Sequence, residues 1–314
     1  MDRRAFICSI AGGVIAAPLA VYAQSTGKTW RIGFLREGRA PLAPSYLEAL
    51  RKLGWVEDRN IMIERRYADK PEQLPDLAAE LVRLKVDLIF AAGWRSTRAA
   101  KEATTTIPIV FSVAADPVEK GFVASMARPG GNLTGFALGL YDDKQLEVLK
   151  EALPGLTRVA YPVFRDVEPP GLKVAKKLGV EALGIAVQNP AESRPFFVAA
   201  KAAGADAALI PDLARLIPHL ESIAAEAWKS RLPAIGFRRI FAEAGGLLSY
   251  APITLEVDAR VAAQIDRILR GAAPADLPVE QPTRFELVIN RKAAKALGLT
   301  IPQPLLLRAD EVIQ

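Results

Sequence analysis

The sequence predicts an α/β protein built as two doubly wound parallel-sheet lobes with a ligand cleft between them. Three observations lead there. Short continuous apolar runs alternate with amphipathic helical segments, which is the pattern of strands covered on both faces. A turn cluster at Pro129-Gly130-Gly131-Asn132 is followed by a restart of the same rhythm. The chain has 314 residues, 51% of them hydrophobic and 24% charged, enough for two lobes with packed cores and too apolar for wholesale disorder.

Taken in order, strands are expected at 30–35, 61–67, 87–92 and 107–112, with helices at 44–53, 72–85 and 95–104 between and after them. The 72–85 helix has the strongest pattern, because Leu74, Leu77, Ala78, Leu81 and Val82 fall on one face. Beyond the turn cluster, a helix at 142–153 opens on the capping candidates Asp142 and Asp143. Strands are expected at 157–161, 181–187, 206–210 and 233–237. Gly245-Gly246 breaks the pattern before Leu247-Leu248-Ser249-Tyr250. The helix at 255–270 carries Val257, Val261, Ile265 and Ile268 on one stripe and stops at Gly271. A linker at 273–278, a strand at 285–289 and a helix at 291–297 complete the chain, and no residue-level repeat relates the halves.

The first 23 residues read as an export signal. Asp2-Arg3-Arg4 gives a positive start, Phe6 to Leu19 is apolar, and Val21-Tyr22-Ala23 suits cleavage before Gln24. The apolar run is short for a membrane span. A Sec-type signal is expected, with the twin-arginine route as the alternative because of Arg3-Arg4-Ala5-Phe6-Ile7. Cys8, the one cysteine, lies inside this segment, so the mature chain is expected to lack thiol chemistry, disulfides and cysteine-ligated metal. The net charge of +6 comes from scattered Lys and Arg, which argues against nucleic acid as a partner.

No catalytic constellation is evident. His219 is the sole histidine, and a metal site or an oriented base needs more donors than one. No Gly-x-Ser-x-Gly, P-loop or His-Glu-x-x-His motif occurs, so neither an enzymatic activity nor a cofactor is expected.

Several long, ordered blocks carry a family resemblance. They include Ile32-Gly33-Phe34-Leu35, Leu53-Gly54-Trp55-Val56-Glu57-Asp58-Arg59-Asn60-Ile61 and Leu77-Ala78-Ala79-Glu80-Leu81-Val82. They continue with Ile107-Pro108-Ile109-Val110-Phe111, Asp116-Pro117-Val118, Ala127-Arg128-Pro129-Gly130-Gly131-Asn132-Leu133-Thr134-Gly135 and the runs at 274–283, 296–302 and 307–313. Together they resemble the ABC transporter substrate-binding family of the tryptophan/tyrosine transport type over nearly the whole mature chain, more weakly between about 160 and 245. The resemblance implies a type I periplasmic binding fold, two lobes joined by three crossings and closing on a small ligand. It also implies lobe 1 at 24–137 plus 247–281 and lobe 2 at 138–246 plus 282–314. The implied function is a periplasmic, monomeric receptor that carries a small carboxylate, such as an aromatic amino acid or a related acid, to an ABC permease and its ATPase. An exported α/β enzyme and a sensory binding protein that presents its ligand to a membrane receptor are the alternatives.

Candidate ligand contacts sit at the carboxyl ends of the predicted strands. The stretch Ala92-Gly93-Trp94-Arg95-Ser96-Thr97 opens a helix whose free N–H groups suit a carboxylate. Ser96 and Thr97 either cap that helix or donate to a ligand. Arg95 either grips an anionic group or is solvated. The family usually has a small hydroxyl residue where this chain has Trp94, which either stacks on a flat ligand or fills the cleft. Phe34, Ser112 and Ala114 are expected at the cleft, and Asp116 either receives an ammonium group or caps a helix near Pro117. Tyr161, Asp212 and Phe237 end second-lobe strands, and Tyr250 lies near a predicted crossing.

Overall fold

The computed structural model describes residues 28–113, 116–139, 141–165, 172–189 and 191–314. The expected signal, Cys8 and Ala114 lie outside the described residues.

In the first lobe, β1 (Trp30–Glu37), α1 (Pro44–Lys52), β2 (Ile61–Ala68), α2 (Leu74–Arg83), β3 (Leu88–Ala92), α3 (Trp94–Ala103), β4 (Ile109–Val113) and β5 (Leu133–Ala137) form a parallel sheet of order β2-β1-β3-β4-β5. Strand and helix alternate as far as β4, and β5 follows β4 without an intervening helix among the described residues. Because strand side chains alternate between faces, residue parity sorts the core. Ile32, Phe34, Leu88, Phe90 and Val110 point to one face, Ile89, Ala91, Ile109 and Phe111 to the other. Leu74, Ala78 and Leu81 of α2 cover the second face.

The second lobe begins with α4 (Asp142–Ala152), β6 (Arg158–Val163), β7 (Glu181–Ala186), α5 (Ser193–Ala202) and β8 (Ala207–Leu209). It continues through α6 (Leu220–Lys229), β9 (Ala234–Gly236), α7 (Arg239–Glu243) and β10 (Leu248–Pro252). The chain then makes α8 (Thr254–Leu269), β11 (Phe285–Asn290), α9 (Arg291–Ala296), α10 (Gln303–Arg308) and β12 (Glu311–Ile313). The second sheet has the order β12-β11-β10-β9-β8-β6-β7 and is parallel except where β10 meets β11.

The chain passes between the lobes three times: after β5, between β10 and α8 at Ile253, and before β11. One expectation needs correction here. The resemblance implies that 247–252 belongs to the first lobe, yet β10 pairs with β9 and β11 inside the second sheet. Leu248 packs in the second-lobe core, and its apolar run is better buried between two strands than at a crossing. The return to the first lobe therefore begins with α8, whose Val257, Val261 and Ile265 join Ile32, Phe34 and Phe136. Val279 and Glu280 stay with the first lobe, where Glu280 N donates to Gly135 O at 2.9 Å.

Candidate functional site

Between the lobes lies a cavity of about 580 Å³. Its walls are the carboxyl ends of β1 and β3, the start of α3, the loops after β8 and β9, and the first turns of α8. These are the ends at which open α/β sheets bind ligands.

The α3 entrance is set by Gly93, held at φ 95°, where a side chain would be strained. Its N–H donates to Ser112 O at 2.8 Å, which ties the turn to β4. Thr97 Oγ1 donates back to Gly93 O at 2.9 Å, so Thr97 is absorbed by the helix start. Trp94 and Arg95 both line the cavity, but neither presents the surface expected of it. The guanidinium carbons of Arg95 and Arg98 lie 4.9 and 5.0 Å from the Trp94 ring centroid, so neighbours on its own helix already engage the indole. Arg95 donates to Glu37 at 3.1 Å instead of pointing an unpaired charge at a ligand.

Of the other expected residues, Phe34, Ser96, Ser112 and Asp212 line the cavity. Four do not. Asp116 is exposed, and its Oδ1 accepts from the N–H groups of Val118 and Glu119, closing a turn at 117–121 where a helix was expected. Tyr161 lies across Gly184, its partner on the edge strand β7. Phe237 is fully buried in the second-lobe core. Tyr250 stacks on Phe285, ring centroids 5.3 Å apart and planes 8° from parallel. None of the three aromatics ends a strand: Tyr161 lies inside β6, Tyr250 lies in the middle of β10, and Phe237 lies one residue past β9 and packs into the core.

The residues the sequence reading passed over make up the polar heart of the site. Arg36, next to last in β1, is part-buried and makes no direct ion pair with a carboxylate among the described residues; burial first, then the like charge of Arg238, pushes its pKa down to about 10 against the pull of Tyr67, Asp212 and Asp258. Its Nε is buried without a hydrogen-bond partner among the described residues, as are Tyr46 Oη and Ser96 Oγ, and all three residues line the cavity. Orphaned buried donors of this kind are rare and call for a reason. Arg238 follows β9 and sits at φ 65°, a strained conformation for a side-chain-bearing residue and one that tends to mark functional turns.

Two acids flank these cations. Asp212 accepts from Tyr141 Oη at 2.6 Å, and burial raises its pKa against the pull of Arg238, the tyrosine bond and Arg36. Asp258, on α8, accepts from Ser45 Oγ; burial raises its pKa too, opposed by that bond and by Arg238 and Arg36. The apolar part of the wall is aromatic. Phe90 lies 5.4 Å from Phe34 and stacks on Tyr46 at 5.0 Å. Each of these could be sought in a sequence only by one weak signal, a charge directly after an apolar strand run, as at Arg36 and Arg238.

Among the described residues no three His, Cys, Asp or Glu are placed to hold a metal ion. No helix among them is long and apolar enough to cross a membrane.

Two parallel-sheet α/β lobes, three crossings and a polar cavity at the strand ends define a bilobal binding protein of the type I periplasmic kind. A crystal structure of a conserved domain protein from Vibrio cholerae O1 biovar eltor strain N16961 matches with a TM-score of 0.82 at 26% identity, over 91% of this chain and all of that one. The fold is shared by a domain from Streptococcus pneumonia in complex with L-Trp, with a TM-score of 0.80 at 22% identity over 91% of this chain and 100% of that one. The chain belongs to the ABC transporter substrate binding protein family, whose profile matches residues 44–313. A curated relative, the tyrosine-binding protein of Clostridioides difficile strain R20291, is 26% identical over 264 residues, which is 81% of this chain and 75% of that protein.

Proposed function

We propose that this protein is the exported receptor of an ABC-type importer. It binds a small carboxylate with a flat apolar body, in first place an α-amino acid, and delivers it to a permease driven by its ATPase. One observation carries the ligand class: Arg36, a part-buried cation that makes no direct ion pair with a carboxylate among the described residues, lines the cavity with Arg238 beside it. A ligand carboxylate supplies the missing anion, and a planar guanidinium suits it in a bidentate grip. Asp212 and Asp258, whose pKa values burial raises, are the complementary places for an ammonium group, whose charge would favour their ionised forms. The faces of Phe34, Phe90 and Tyr46 give a flat body something to pack on. The name of the Clostridioides difficile relative supports the same class.

The protein works outside the inner membrane once residues 1–23 are removed, as a monomer, and returns its ligand chemically unchanged. The signal-like composition of that segment supports export. A thermal-shift screen of amino acids, aromatic acids and neutral sugars, followed by calorimetry, tests the reading, because a ligand of the native state raises the melting temperature. An amino acid or aromatic acid is expected to score highest. A neutral sugar as the best ligand would overturn the class.

A further inference from the structure

We propose that Glu37 is a positioning residue that latches the two lobes together. The proposal rests on the receptor reading above, since it concerns closure over the same cavity. Glu37 ends β1 in the first lobe and accepts from two arginines. Arg95 reaches it from α3 of the same lobe at 3.1 Å, and Arg215 reaches it from the second lobe at 2.7 Å. The three side chains are only 13%, 11% and 15% exposed, so the cluster lies in a poorly solvated place where removing one partner matters.

Each member is anchored in its own lobe. The Arg215 guanidinium carbon lies 5.1 Å from the centroid of the buried Phe164 ring, and Arg95 sits against Trp94. Opening the cleft therefore separates Arg215 from Glu37 while leaving Arg95 and Glu37 together. The pair is made by protein groups alone, so it favours closure before any ligand arrives. The latch thus sets the closed fraction of the ligand-free protein, and apparent affinity scales with that fraction.

The test compares wild type with Arg215→Gln, Glu37→Gln and Arg215→Lys. Small-angle scattering of the ligand-free proteins reads the closed fraction, and stopped-flow release of L-tyrosine, the probe ligand, reads its consequence. Wild type and Arg215→Lys are expected to stay compact, while Arg215→Gln and Glu37→Gln expand and release the probe about tenfold faster. A merely structural Arg215 would lower the melting temperature and leave scattering and release rate unchanged, and that result overturns the latch. If L-tyrosine fails to bind wild type, the amino-acid reading suffers, while the ligand-free scattering still decides the latch by itself.

Discussion

Replacing Arg36 with Met should make the ligand-free protein more stable and the receptor nearly useless. Methionine keeps much of the unbranched apolar stem and removes the charge. Burial holds the pKa of Arg36 well below the usual arginine value, at about 10. At about 1.4 kcal/mol per tenfold, that drop corresponds to a cost on the order of 3 kcal/mol for holding this cation in the folded protein. The sign follows from linkage: a cation whose folded pKa is depressed destabilises the native state fully below the folded value, and the cost fades only as pH rises towards the unfolded value. At pH 7 the cost is entirely present, so its removal should raise the melting temperature by several degrees, at roughly 2–4 °C per kcal/mol for a chain of this size class. The same change takes away the proposed partner of the ligand carboxylate, which should cost at least about 2 kcal/mol, or roughly thirtyfold in affinity. Differential scanning calorimetry of the ligand-free protein and titration calorimetry with L-tyrosine measure the two effects side by side. A variant that melts lower and binds as tightly as its parent would refute the assignment, since that is how an ordinary structural arginine behaves.

Two further outcomes follow from the same chemistry. Burial, with Asp212 and Asp143 adding to it, pushes Asp142 up to about 7, so its ionisation opposes folding increasingly as pH rises from about 4 to 7; Asp142→Asn should raise the melting temperature at pH 8 and leave it unchanged at pH 3, as thermal unfolding across that range will show. Tyr250→Leu breaks the stack on Phe285 and should cost about 1 kcal/mol of stability with no change in ligand affinity, whereas a loss of binding at constant stability would return Tyr250 to the cleft.

Most of the fold was legible because its strands are continuous apolar runs and its helices show apolar faces at regular spacing. β5 was not read as a strand: Leu133–Ala137 is short, with Thr134 and Gly135 inside it, and its burial comes from tertiary neighbours such as Gln264 and Leu277 that no local pattern reveals. The site was half legible. The Gly93 turn and Asp212 were found because strand ends mark the cleft, but the pairing of Arg95 with Glu37 depends on a residue 58 positions away. Arg36 and Arg238 were missed because a charge after an apolar strand looks like an ordinary solvated end. Phe237 and Tyr250 do not line the cavity because Phe237 packs into the core just past β9 and Tyr250 stacks on Phe285 from the middle of β10, neighbours that no local pattern reveals.

The excursion of α8 out of the second lobe has a consequence for how the chain can be cut. Val257, Val261, Ala262 and Ile265 complete the core face formed by Ile32, Phe34, Val110 and Phe136. A fragment ending after β5 therefore contains every strand of its sheet and still lacks one of its walls. Expressed alone, such a fragment is expected to expose that apolar face and aggregate, and a permuted chain that supplies α8 in tandem after β5 is expected to stay monomeric in size-exclusion chromatography. The first lobe is borrowed from two distant stretches of sequence, and neither stretch is a module without the other.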